Sequence, residues 1–282
     1  MPKSPSSSAQ AAREAVAVRL RELMLEAGLT GTELAVRCRW SSAKSSRIIN
    51  AKTQPSDSDI RTWCSACCAD DQAGDLIAAS RAVESMYLEW RRLHRNGMRK
   101  VQQDFYTLHE RTSLCRSYAS NAVPGFLQTP AYATALMAGI TDFQGTPDDI
   151  AEAVVARVSR SRFLYKGNHR FVVILEEWVL RSQIADRDTM ACQLRHLLRT
   201  MPLPSLSLGV IPFTTRRSIW PLEAFFLYDD QRALVETLTA EINVTQPREV
   251  TDYRKAFAGL METAVHGDKA RALINHAIDA LG

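Results

Sequence analysis

The sequence predicts two parts of different class: an all-α front holding a helix-turn-helix, then an α+β rear with mixed strands and helices. Three observations carry this. Apolar residues recur at helical spacing through the front, first as Val16, Leu20, Leu23 and Met24, later as Ile60, Trp63, Cys64 and Cys67. From about residue 105 strand-like runs enter, the most apolar being Phe171–Leu175. A chain of 282 residues has room for two domains at ~100–200 residues each. The boundaries drawn from pattern are a disordered tail at 1–10, a DNA-binding domain at 11–75, a linking helix at 76–104 and a rear domain at 105–282.

Residues 1–10 are Ser- and Pro-rich, with Lys3 their one charge. A first helix is expected over 11–27, closed by Gly28. Thr30 then offers a hydroxyl, and Glu33 follows three residues on, the spacing of a capping box. Leu34 and Ala35 begin a short apolar face, Arg39-Trp40 interrupts it, and Ser41 or Ser42 can cap a second short helix. That helix turns Ile48 and Ile49 inward and Ser42, Lys44, Ser45 and Arg47 outward. Two short helices joined by a tight turn, the second polar and basic outside, suit a DNA major groove.

On Leu29-Thr30, Thr32-Glu33-Leu34-Ala35, Ser41, Arg47-Ile48 and Asn50-Ala51-Lys52, this stretch resembles the XRE family of the lambda and 434 repressors and Cro. It departs from that family at Gly31, where Gln is usual, and at Arg39, where the turn usually has Gly. The resemblance implies phosphate contacts at Thr30, Gly31, Thr32 and Lys52, and a reading face at Ser41, Ser42, Ala43, Lys44, Ser46 and Arg47. Charge agrees: residues 1–55 hold nine Lys or Arg against four acids, the local excess that phosphate attraction needs.

The fourth front helix is capped near Ser56-Asp57 and carries Ile60, Trp63, Cys64, Cys67 and Cys68. The CxxCC run invites zinc, but no second ligand pair lies at finger spacing. Cysteines three and four apart on a helix instead face one core, and no metal is expected. Residues 75–105 read as mostly helical, broken at Gly97, with Val83, Met86, Tyr87 and Trp90 in an apolar stripe and Arg91, Arg92, Arg95 and Arg99 outside. In the rear, 105–120 reads as a strand. Helices are expected over 130–139, 147–164, 187–200, 251–265 and 269–281, and strands over 171–175, 206–212, 224–228 and 233–242.

The blocks VPGFLQTPAYATAL, EEWVLR, MACQLRHLL, LSLGVIPF and ALVET resemble the rear domain of WhiJ-type regulators of actinobacteria. That resemblance implies a DNA-binding regulator of development or specialised metabolism, often encoded beside a small partner protein, with no catalytic residues in the rear domain.

Catalytic chemistry finds little support. Glu176 and Glu177 are adjacent, so on a strand they face opposite sides. The six histidines are scattered, and no HExxH or phosphate-binding glycine run occurs. No catalytic residue and no cofactor are therefore expected. The aromatic set Trp178, Trp220, Phe225, Phe226, Tyr228, Tyr253 and Phe257 can fill a core or line a pocket. No run of 18 apolar residues and no signal-peptide core occur, so a cytoplasmic, nucleoid-associated protein is expected. The expected function is a dimeric transcription regulator, acting as a repressor, that binds double-stranded DNA. A small partner protein or a small-molecule effector would act through the rear domain. An antitoxin-like protein that neutralises a small partner and autoregulates is the alternative from a different class, and a small-molecule receptor is a third.

Overall fold

The computed structural model describes the backbone of residues 5–219 and 223–282 and, within these, every side chain except those of 5–12, 81–89 and 91. The chain divides into two compact units, Met1–Leu88 and Glu89–Gly282, each with its own core.

The first unit is helical: α1 (Pro5–Glu26), α2 (Gly31–Cys38), α3 (Ser42–Ile49), α4 (Asp57–Ala66) and α5 (Ala73–Met86). Helix α1 starts earlier than expected, so residues 5–10, read as part of a disordered tail, are helical; residues 1–4 of that reading lie outside the described residues. Proline is compatible with a first helical position, and extending a helix that packing already nucleates costs little per residue. Gly28 ends α1 at φ +67, with the Leu29 amide donating to the Met24 carbonyl at 3.0 Å. Leu20, Leu34, Ile48, Ile60 and Trp63 meet in the core, and the Trp63 indole N–H donates to the Leu20 carbonyl at 2.9 Å. Cys64 and Cys67 are buried as expected of a core face, but Cys68 is exposed at φ +55 beyond the helix end.

The linking helix expected over 76–104 is several pieces. Helix α5 ends at Met86, a three-residue strand β1 (Tyr87–Glu89) and a short helix α6 (Trp90–Leu93) follow, and α7 (Arg99–Arg111) begins beyond Gly97. The side chains of Val83, Met86, Tyr87 and Arg91 lie outside the described residues. Gly97 sits at φ +93, and a Cβ there would collide with the Asp149 carboxylate. That carboxylate accepts from the Met98 and Arg99 amides at 2.7 and 2.8 Å and so caps α7 from a distance.

In the second unit, strands β2 (Leu114–Ala119), β3 (Arg170–Glu176), β4 (Leu206–Ile211), β5 (Phe225–Tyr228), β6 (Arg232–Glu236), β7 (Ala240–Val244) and β8 (Val265–His266) lie in the order β7-β6-β5-β2-β3-β4-β8. The pairs β2–β3 and β3–β4 are parallel and the others antiparallel, with Cys115 set between Phe171 and Tyr228. Central β3, RFVVILE, is buried on both faces, which explains its continuous apolar run. Helices α8 (Pro130–Gln144) and α9 (Ile150–Val158), with a 3-10 turn at Ser159–Leu164, connect β2 to β3. Helices α10 (Glu177–Arg181) and α11 (Arg187–Thr200) connect β3 to β4, and α12 (Pro247–Thr263) and α13 (Gly267–Asp279) close the chain.

Two expectations change here. The strand read over 105–120 is the end of α7 followed by β2: Val101, Phe105 and His109 are buried four residues apart, a helical repeat that reading missed. The strand read over 233–242 is a hairpin, because Leu238 turns out to solvent at 73% exposure and the Thr237 amide closes the turn onto the Ala240 carbonyl.

Candidate nucleic-acid interface

Helices α2 and α3 are held in place by caps that their sequence supplies. Thr30 Oγ1 accepts from the Glu33 amide, and Glu33 accepts from the Thr30 amide at 2.8 Å, a complete capping box. Those hydrogen bonds, from the Thr30 backbone first and its hydroxyl second, hold the Glu33 carboxyl below its ordinary range. Arg39 takes the left-handed conformation, φ 57 and ψ 41, and lets the Trp40 amide reach back to the Ala35 carbonyl. For a residue other than glycine this costs roughly 1 kcal/mol. Ser41, not Ser42, then caps α3 by accepting from the Lys44 amide at 3.3 Å.

The faces of α3 divide sharply. Ser45 and Ile48 are buried, and the Ser45 hydroxyl accepts from the Trp40 indole N–H at 2.7 Å. Ser42, Ala43, Ser46 and Arg47 are exposed, as is Ser41 at the start. Lys44 differs from its neighbours: its ammonium pairs with Asp59 at the start of α4 and lies 4.4 Å from the centre of the Trp40 ring. Lys44 is thereby engaged inside the domain. The C-terminal carbonyl of α3, at Ile49, accepts from Arg21 at 2.8 Å.

At the start of α2, Thr30 and Thr32 are exposed and Gly31 is half-buried. The Glu33 carboxylate already occupies the cap, which places negative charge beside the amides expected to meet a phosphate. Lys52 is exposed beyond α3. Other cations of the first unit are turned inward: Arg19 binds Glu22, Glu26 and Gln72, and Arg37 donates to the Ala66 carbonyl. Among the described residues, Arg39, Arg47 and Lys52 make no ion pair. Sequence reasoning treated Arg39 only as a replaced glycine. Its exposure was hidden because the turn conformation, not its charge, was being read.

The other candidate chemistry is taken up by structure. The Glu176 carboxylate accepts from Tyr118 at 2.8 Å and pairs with Arg217 at 2.6 Å. Glu177 pairs with Arg181 and accepts from the Phe213 amide. Among the described residues no cluster of three His, Cys, Asp or Glu is placed to hold a metal ion. Burial pushes the Cys38 and Cys67 thiols up to about 11, which keeps them protonated. Of the aromatic set, Trp178 is exposed, Phe225 packs with Tyr253 and Phe257, and Phe226 stacks with Tyr228; Trp220 lies outside the described residues.

A capped helix, a left-handed turn and a second helix with one face pinned and one bare define a helix-turn-helix protein. Residues 15–76 match the family described as "Helix-turn-helix domain". Residues 102–276 match the family described as "Domain of unknown function (DUF5753)", and the chain belongs to that family. No curated protein matches the chain. Among solved structures, one match is described as "Structure of TrmBL2, an archaeal chromatin protein, shows a novel mode of DNA binding". It shares 11% identity over 85% of this chain and 88% of that one, with a TM-score of 0.31, too low to carry an argument about fold or function.

Proposed function

We propose that the protein is a sequence-specific DNA-binding transcription regulator of the WhiJ type, acting as a homodimer and as a repressor. The observation that carries this is the division of α3. Its inner face is fixed by Ser45 and Ile48, while Ser42, Ala43, Ser46 and Arg47 are exposed, and Arg47 makes no ion pair among the described residues. A helix so held can enter a major groove with its side chains preset. Arg47 is the residue suited to a bidentate contact with guanine, Lys52 to a phosphate. The second unit serves dimerisation and sensing and performs no catalysis. Among the described residues no helix is long and apolar enough to cross a membrane, which fits the proposed place on the nucleoid.

The test is selection of bound duplexes from a random pool by the full-length protein. One module reads only a few base pairs, so a dimer should enrich a palindrome with half-sites about 10 bp apart, or a multiple of that. Recovery of no shared sequence would refute specific binding. A single unpaired half-site would refute the dimer.

A further inference from the structure

The second unit contains a cavity of about 580 Å³, within the size range of small-molecule sites. Its lining joins residues of the VPGFLQ block to Arg157, in the last turn of α9, and Arg160, in the 3-10 turn that follows. Arg160 is 5% exposed and Arg157 is half-buried, and both line the cavity. Their partners are neutral. Gln102 Oε1 accepts from Arg160 at 3.0 Å and from Arg157 at 3.3 Å, Gln128 Oε1 accepts from Arg157 at 2.7 Å, and the Arg157 carbonyl accepts from Arg160 at 3.1 Å. Neither guanidinium forms an ion pair among the described residues, and Glu236, which also lines the cavity, pairs with neither. The cradle is built for them. Gln128 is itself fixed by donating to the Val123 carbonyl at 2.6 Å, and a side chain at Gly125 would collide with Arg160.

Burying a charge without a counter-charge costs several kcal/mol. Burial, with Arg157 next, accordingly pushes Arg160 down to about 9. The Glu236 carboxylate acts on both guanidinium groups through space but bonds to neither, so the pair is left without a directly bonded anion. His109 keeps the wall neutral. It is 2% exposed and lines the same cavity, and Nδ1 is satisfied by the Phe105 carbonyl at 2.8 Å. Nδ1 therefore carries the proton, and Nε2 is closed in without a hydrogen-bond partner while the ring packs among Phe126, Phe171 and Tyr228. The remaining wall is largely apolar: Phe126 and Tyr228 lie against the His109 ring with Phe226 beside them, and Val101, Leu136 and Met137 add aliphatic surface.

We propose that this cavity binds a flat aromatic carboxylate, its carboxylate on Arg157 and Arg160 and its ring against Phe126, Phe226 and Tyr228. The proposal deepens the sensing role given above to the second unit by naming the class of effector.

The experiment uses the full-length chain, with 6-hydroxy-2-naphthoate as probe and the neutral 6-hydroxy-2-naphthamide and inorganic phosphate as comparisons, read by calorimetry and thermal shift. The naphthoate should bind at least tenfold more tightly than either comparison, and Arg160→Gln should abolish that preference. Because a buried Arg can matter for folding, Gly139→Trp is the second variant. Gly139 of α8 is exposed at the open side of the cavity with nothing within 4 Å of where its Cβ would stand, so Trp there can obstruct the opening without displacing core. This variant should keep its melting temperature and lose naphthoate. Equal binding of the amide, binding of phosphate alone, naphthoate affinity unchanged in Gly139→Trp, or no binding of the naphthoate at millimolar concentration would each overturn the proposal. These measurements are made without DNA, so their failure is distinct from failure of DNA recognition. Operator affinity with and without the naphthoate then tests sensing by itself.

Discussion

At the scale of single residues, the front unit sorts its cations between fold and surface. Lys44 and Arg47 sit three apart on one short helix, yet Lys44 is drawn to Asp59 and the Trp40 ring while Arg47 is bare. Burial opposes ionisation of Asp59, but the Lys44 ammonium and the Ser56 amide and hydroxyl outweigh it and hold the carboxyl below its ordinary value. Lys44→Met keeps the stem near Trp40 and removes the charge. The pair is partly open to water, so after screening its loss should cost about 1 kcal/mol, read from urea melts at neutral pH. A depressed carboxyl stabilises the fold when ionised, so wild type and variant should converge as pH falls below 3.8 through the lowered value. A variant as stable as wild type at neutral pH would mean the pair is ornamental. Nothing in the sequence separated these two basic residues. The partner of Lys44 lies 15 positions away on a helix whose packing angle composition does not encode.

At the scale of elements, local rules went furthest where the element makes its own caps. The capping box at Thr30 and Glu33, the cap at Ser41, the proline start at Pro130 and helix α11 at Arg187–Thr200 were readable because each depends on neighbours in sequence. The failures have two causes. Helix α7 was read only as far as residue 105: it is capped by Asp149, about fifty residues away, and its buried set includes Gln102 and His109, so its second half was read as strand. The β6–β7 hairpin was likewise hidden, because its turn is made by Thr237 and not by Gly or Pro. That hairpin sets Glu236 directly across from Glu241. Burial first, and Glu236 second, raise the Glu241 carboxyl from 4.5 to about 7. A carboxyl raised in the folded state favours folding while protonated. Its contribution is intact below pH 4.5 and drains away as pH climbs through about 7. Glu241→Gln should therefore stabilise the protein by on the order of 1–3 kcal/mol at pH 8 and leave it unchanged at pH 4.5, as thermal melts at the two pH values would show. An equal effect at both would assign the gain to packing.

In the whole molecule one unit is helical and presents α3, and the other is sheet-based with a cavity lined by two guanidinium groups that form no ion pair among the described residues. The class change along the chain was legible because helical spacing gave way to buried strands such as β3. The cavity was not, since Gln102 and His109 on α7 meet Arg157 and Arg160 about fifty residues away, and nothing local to either pair shows the other. The central claim is that the protein reads DNA sequence through the bare face of α3, with Arg47 as its base contact. The most direct measurement is binding of Arg47→Ala, beside wild type, to the selected palindrome and to an unrelated duplex at one fixed salt concentration. The account predicts a loss of about 1–3 kcal/mol per half-site on the palindrome and a much smaller loss on unrelated DNA, so that discrimination collapses. An equal loss on both duplexes, or none on either, would contradict it.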